Sequence, residues 1–305
     1  MLKQINGFEL SPQQKYLWHL QQNDNFNYCV VGAVSITGNL QIDVLKSAVN
    51  QVVNTHEILH TNYKNVSEMN FPLQIINNNS EFWHQEYDLS NCNIQAQENK
   101  LQQIFDEFLN LNFNLETGAI LNLSLVNIAA NKYILLMALP AICGDKATLQ
   151  NLVKLISEFY AAIRHQEDIL DDEVLQYADL SAWQNELLTG VETQAGRKYW
   201  SNLDFSVLSA LHLLGEKTAN LEFKPESYSC KLDWKLTNKI NSYLQFNDIS
   251  LSEFLLTCWN ILLWKLTGQD NLIIGFVSEC RKYQELESAL GCSFSLSPHF
   301  REFIG

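Results

Sequence analysis

The stretch at residues 133–153, YILLMALPAICGDKATLQNLV, constrains this chain most. Its first seven residues form an apolar run rich in Ile and Leu, of a length that suits a buried strand. Pro140 has no N–H to give to a ladder, so the strand is expected to end there. A short loop through Ala141, Ile142, Cys143, Gly144 and Asp145 follows, and an amphipathic helix resumes from about Ala147. A tight loop between strand and helix has its backbone held from both sides, which is a common place for chemistry.

With 305 residues the chain holds one large domain or two medium ones. Hydrophobic content of 47% with 18% charged residues suits an ordered globular protein. The formal net charge of -14 argues against a nucleic-acid partner. The longest mostly apolar runs, 133–143 and 254–263, are too short to span a bilayer, and the N-terminal residues have no apolar signal core, so no membrane partner is expected. Seven cysteines, scattered and without a C-x-x-C pair, read as reduced cytoplasmic thiols.

Ser11-Pro12 opens a helix with Leu17, Trp18 and Leu20 on its apolar side. Residues 28–38 alternate as a strand. A helix is expected from Ile42 to His60, with Leu45, Ala48, Val49, Val52 and Val53 at helical spacing and His56 on the same side. Residues 70–90 are expected to form two short strands around an Asn-rich turn, and 120–128 a hairpin with 133–139. The acidic break at 168–173 is read as a linker. Residues 226–234 read as a strand. The helix at 252–266 is apolar nearly all round, so it is expected to be buried.

His56-Glu57-Ile58-Leu59-His60 matches H-E-x-x-H, the pattern in which two histidines one helical turn apart bind zinc and the glutamate serves as base. Catalytic zinc needs a third protein ligand, and Glu81 is the only candidate. A zinc hydrolase is therefore the weakest of three readings.

Several stretches, in order, resemble the condensation domains of nonribosomal peptide synthetases. LSPQQKYLW is similar to the family's L-S-x-x-Q-x-x-L-W, with Gln14, Leu17 and Trp18 in place. THEILHTNY resembles R-H-E-x-L-R-T-x-F, with Thr55 and His60 at the arginines and Tyr63 at the phenylalanine; on this alignment the second histidine of H-E-x-x-H is accidental. FNLETGAILN is similar to F-D-L-x-x-G-P-L-x-R, departing at Asn114, Ala119 and Asn122. YADLSAW resembles Y-x-D-F-A-x-W, with Tyr177, Asp179 and Trp183 in place, and Tyr199-Trp200 match a further position. Gly275 and Arg281 fit I-G-x-x-x-x-x-R, and Gly291 and Pro298 fit I-G-F-F-V-N-T-L-P-L. The family's active loop is H-H-x-x-x-D-G. Aligned on Asp145, this chain has Pro140 and Ala141 at the two histidines and Lys146 at the glycine.

The resemblance implies an α/β (α+β) fold of chloramphenicol-acetyltransferase type, two lobes in a V, with residues 1–170 as the N-terminal lobe and 171–305 as the first part of an incomplete C-terminal lobe. Family members continue well beyond the point matching Gly305. A chain cut there is expected to leave a sheet edge and apolar helix faces uncovered. The active loop is expected in a tunnel open at both ends. Carrier protein domains would dock there, within a larger synthetase, and insert phosphopantetheine arms as thioester substrates; no cofactor is expected to bind directly.

The family's second histidine assists attack of an amine on the donor thioester; Ala141 has no titratable group to do so. Asp145 is expected to hold the loop through an ion pair, with Arg281 as partner. Cys143 reads either as a nucleophile or as a small buried apolar residue. The pattern P-A-x-C-x-D looks like that of condensation-like domains at the N-terminus of large synthetases, without an assigned reaction. Two readings lead: an atypical condensation-type domain handling carrier-bound acyl or aminoacyl groups, and a scaffold that keeps the fold and the docking without the chemistry.

Overall fold

The structure, a computed structural model, describes residues 7–24, 28–67, 69–77, 82–167, 174–203, 211, 213 and 228–302. In chain order come β1 (Phe8–Glu9), α1 (Pro12–Asp24), β2 (Cys29–Thr37), α2 (Ile42–Thr55), β3 (Thr61–Lys64), β4 (Leu73–Ile76), β5 (Trp83–Asp88), α3 (Ile94–Leu109), β6 (Asn122–Ala129), β7 (Lys132–Pro140) and α4 (Lys146–His165). Then follow α5 (Tyr177–Thr189), α6 (Gln194–Ser201), α7 (Trp234–Asn247), α8 (Leu251–Thr267), β8 (Asn271–Glu279), α9 (Gln284–Glu287) and β9 (Phe294–Glu302).

The main sheet has the order β2-β7-β6-β5. Its pairs are antiparallel except β5 with β6, which run parallel. The expected β6–β7 hairpin forms, and Asn131 in its turn takes the left-handed region at φ 58°. The unbroken apolar run of β7 follows from burial on both faces. Leu135, Met137 and Leu139 join one cluster with Leu45, Val49 and Val52 of α2 and Leu149, Leu152 and Ile156 of α4. Leu136 and Ala138 point the other way, to Ile104 and Phe108 of α3. A strand of period two thus serves two cores.

Several expectations need correction. The α2 helix stops at Thr55: His56 is extended (φ -114°, ψ 102°), and Glu57–His60 is a single 3-10 turn. The two histidines therefore do not share an α-helical face. The two strands expected at 70–90 form, but in different sheets: β4 lies between β1 and β3 in a small antiparallel sheet, whereas β5 joins the main sheet. Residues 228–233 have no regular secondary structure, and the rest of that expected strand outside Trp234, which opens α7, falls beyond the described residues. Helix α8 is not buried: Leu255, Trp259, Ile261, Leu262 and Leu266 are about half-exposed, and only Asn260 and Leu263 are buried. The acidic break at 168–173 and Glu81 also fall beyond the described residues.

The chain packs as two compact units, one of Met1–Gln194 with Glu279–Ser295, the other of Ala195–Ser278 with Leu296–Gly305. Helix α5 belongs to the first unit because buried Tyr177, Ala178 and Leu180 pack there, and Ser181 Oγ donates to Glu9 O at 2.7 Å. Among the described residues no single helix is long and apolar enough to cross a membrane.

Candidate functional site

Strand β7 delivers the loop. Pro140, its last residue, pairs in register with Cys29. Ala141 N donates to Tyr28 O at 2.8 Å, and Cys143 N donates to Pro140 O at 2.8 Å, closing a turn. Ala141 is partly exposed; Ile142, Cys143 and Gly144 are buried. A Cβ on Gly144 would sit 2.4 Å from Leu139 Cδ1 and 2.7 Å from Thr148 Cγ2, so the loop closes this tightly only with glycine.

Asp145 ends the loop and caps α4. Its Oδ1 accepts from Thr148 N at 2.9 Å, and the Thr148 hydroxyl accepts from Asp145 N at 3.1 Å, which is a capping box. Arg281 meets the same carboxylate in bidentate fashion, Nη1 to Oδ2 at 2.8 Å and Nη2 to Oδ1 at 3.0 Å. Both side chains are nearly out of water, 4% exposed for Arg281 and 14% for Asp145. Ser293 N donates to Oδ2 at 3.0 Å, and Arg281 also donates to Gly291 O at 2.9 Å. Burial alone would raise the Asp145 carboxyl; the Arg281 guanidinium and the N–H groups of Thr148 and Ser293 outweigh it and hold the group below its ordinary value.

Behind the loop lies a buried polar cluster that sequence reasoning missed. Gln14, on α1, accepts from Ser11 N through Oε1 at 2.9 Å. Its two amide protons face three acceptors: Tyr63 Oη at 3.0 Å, Gln74 Oε1 at 3.1 Å and Ile142 O at 3.1 Å. Tyr63 Oη lies 3.4 Å from Ile142 O and 3.3 Å from Cys143 Sγ. Tyr177 Oη donates to Cys292 O at 2.6 Å; with that proton committed, the Ser11 hydroxyl at 2.8 Å must be the donor between those two. The signal available was a glutamine three residues before buried Leu17 on one helical side, where only a hydrogen-bonded side chain is tolerated. Gln14→Leu should cost about 1–3 kcal/mol in urea unfolding, because it takes the partner from Gln74 Oε1 and from the buried Ser11 N–H. A loss within about 0.5 kcal/mol, the range of surface substitutions, would refute that role.

The structure thus brings Pro140, Ala141, Cys143, Asp145, Arg281 and Tyr177 to one region of the first unit. Asp179 and Trp183 lie apart, exposed on α5. Burial pushes the Cys143 thiol up to about 12, against a smaller opposing effect of the Tyr63 hydroxyl. At neutral pH the thiol is then held in its protonated form, which is a poor nucleophile without a base. Alkylation of the native chain should label exposed Cys92, Cys230 and Cys258 and spare buried Cys143 and Cys292, read by peptide mass spectrometry. Equal labelling of Cys143 and Cys92 would contradict this packing.

The two histidines of the H-E-x-x-H string each turn Nδ1 to a separate backbone carbonyl. His56 Nδ1 sits 2.9 Å from Val52 O and His60 Nδ1 sits 2.5 Å from Asn77 O. Among the described residues no three His, Cys, Asp or Glu side chains group in a way that would hold a metal ion.

A mixed sheet with a capped loop at the end of a central strand, locked by a buried ion pair to a returning segment, defines an α/β protein of chloramphenicol-acetyltransferase type. Residues 4–298 match the sequence model of the Condensation domain family, and the chain belongs to that family. It is 24% identical over 288 residues to Gramicidin S synthase 2 of Aneurinibacillus migulanus, an overlap of 93% of this chain and 6% of that protein. The chain therefore spans a small part of such relatives. Its fold is similar to the condensation domain of the monacolin K polyketide synthase MokA, with a TM-score of 0.80 at 21% identity over 98% of this chain and 68% of that one. The X-domain of teicoplanin biosynthesis, solved in complex with OxyB, gives 0.79 at 17% identity over 99% and 66%.

Proposed function

We propose that this chain is an atypical condensation-type domain of a nonribosomal peptide synthetase that handles acyl and aminoacyl thioesters on carrier protein domains. The observation that carries this reading is the loop architecture. The Asp145–Arg281 pair, the capping box and the Gln14–Tyr63 cluster hold the backbone of 140–145 in place although Pro140 and Ala141 stand at the family's histidines. A loop held this firmly is suited to positioning, and bringing an amine and a thioester together is itself a large contribution to rate. On this reading the phosphopantetheine arms of the carriers are substrates, other synthetase domains are partners, and residues 1–170 and 171–305 are the family's N-terminal lobe and the first part of its C-terminal lobe.

A second reading has its own support. Ala141 carries no titratable group, and the Cys143 thiol is buried and protonated, so neither supplies a base or a nucleophile. Similarity to an X-domain solved with OxyB fits a condensation fold used for docking alone. The test is single-turnover transfer in the full synthetase polypeptide that contains this chain. A donor carrier loaded with an acyl group and an acceptor carrier loaded with an aminoacyl group are mixed, and the intact mass of the acceptor is followed. Gain of the acyl mass above a control lacking the domain supports transfer. No gain, with carrier binding still measurable, supports the scaffold and makes Ala141→His the next variant.

A further inference from the structure

No further inference is drawn: the strongest candidate, the half-exposed apolar stripe of Leu255, Trp259, Leu262 and Leu266 along α8, carries nothing because nothing among the described residues shows what covers it.

Discussion

Replacing Arg281 with alanine should destabilise the chain by about 3–5 kcal/mol, the usual cost of stripping one partner from a buried ion pair. The guanidinium is 4% exposed and cancels the charge of a carboxylate that is itself 14% exposed. It also donates to Thr148 Oγ1 at 3.2 Å, Gly291 O at 2.9 Å and Ala289 O at 3.3 Å, so its loss leaves several buried oxygens short of a donor. Asp145→Asn should also destabilise, because it leaves the buried guanidinium unpaired and keeps one acceptor oxygen where Thr148 N and Ser293 N use two. In the double variant the two losses should fall well short of their sum. Urea unfolding of the four proteins measures the coupling. A loss below about 1 kcal/mol for Arg281→Ala would class the pair with surface salt bridges and remove the loop's main anchor.

The sign of the pH dependence follows from the same pair. The folded carboxyl of Asp145 is held below its ordinary value, so its contribution is fully present above the unfolded value of about 3.9 and is lost as pH falls through the lower folded value. In Arg281→Ala the burial of Asp145 is unopposed by a cation, which moves the folded carboxyl up instead. The variant should then recover ground relative to the parent as pH falls and Asp145 protonates. A stability gap between the two that widens towards acid would contradict this account.

Much of this was legible one residue at a time. Pro140 marked the end of a strand because it lacks an N–H, whereas the helix was placed from about Ala147 and the cap that Asp145 and Thr148 build at its start was not read. The apolar run of β7 could be assigned because burial on two faces removes alternation without changing strand length. The end of α2 was misjudged because His56–His60 continues the helical spacing, and nothing local reveals that the chain straightens at His56. Helix α8 shows a different limit. Its composition says that a large apolar face is available, not what lies upon it, and the face is half-exposed. The polar cluster behind the loop was hidden for a third reason. Gln14 meets Tyr63 and Ile142 across 49 and 128 residues of sequence, and such a junction belongs to the fold and not to any segment.

Gly291→Ala should be as damaging as the loss of Arg281, through sterics instead of charge. Gly291 stands at φ 132°, a conformation that costs a residue with a Cβ about 1–3 kcal/mol. The added Cβ would fall 2.0 Å from Tyr177 Cδ2 and 2.6 Å from Tyr177 Cγ, well inside contact distance. Neither side can give way readily. Tyr177 is 2% exposed and its hydroxyl is tied to Cys292 O and Ser11 Oγ. The peptide of Gly291 receives the Arg281 guanidinium at its oxygen and gives its N–H to Thr148 Oγ1 at 3.2 Å. Overpacking of a tight core adds about 1–3 kcal/mol more, so the total loss should lie on the order of 2–6 kcal/mol by urea unfolding. The two causes separate in a cycle with Tyr177→Ala, which alone opens a cavity and costs about 3–5 kcal/mol. Placed on top of Gly291→Ala it should cost clearly less, because the methyl occupies part of that cavity, while the backbone strain persists in both backgrounds. Full additivity would mean that the ring and the glycine do not touch, and the packing that joins α5 to the Asp145–Arg281 pair would have to be redrawn.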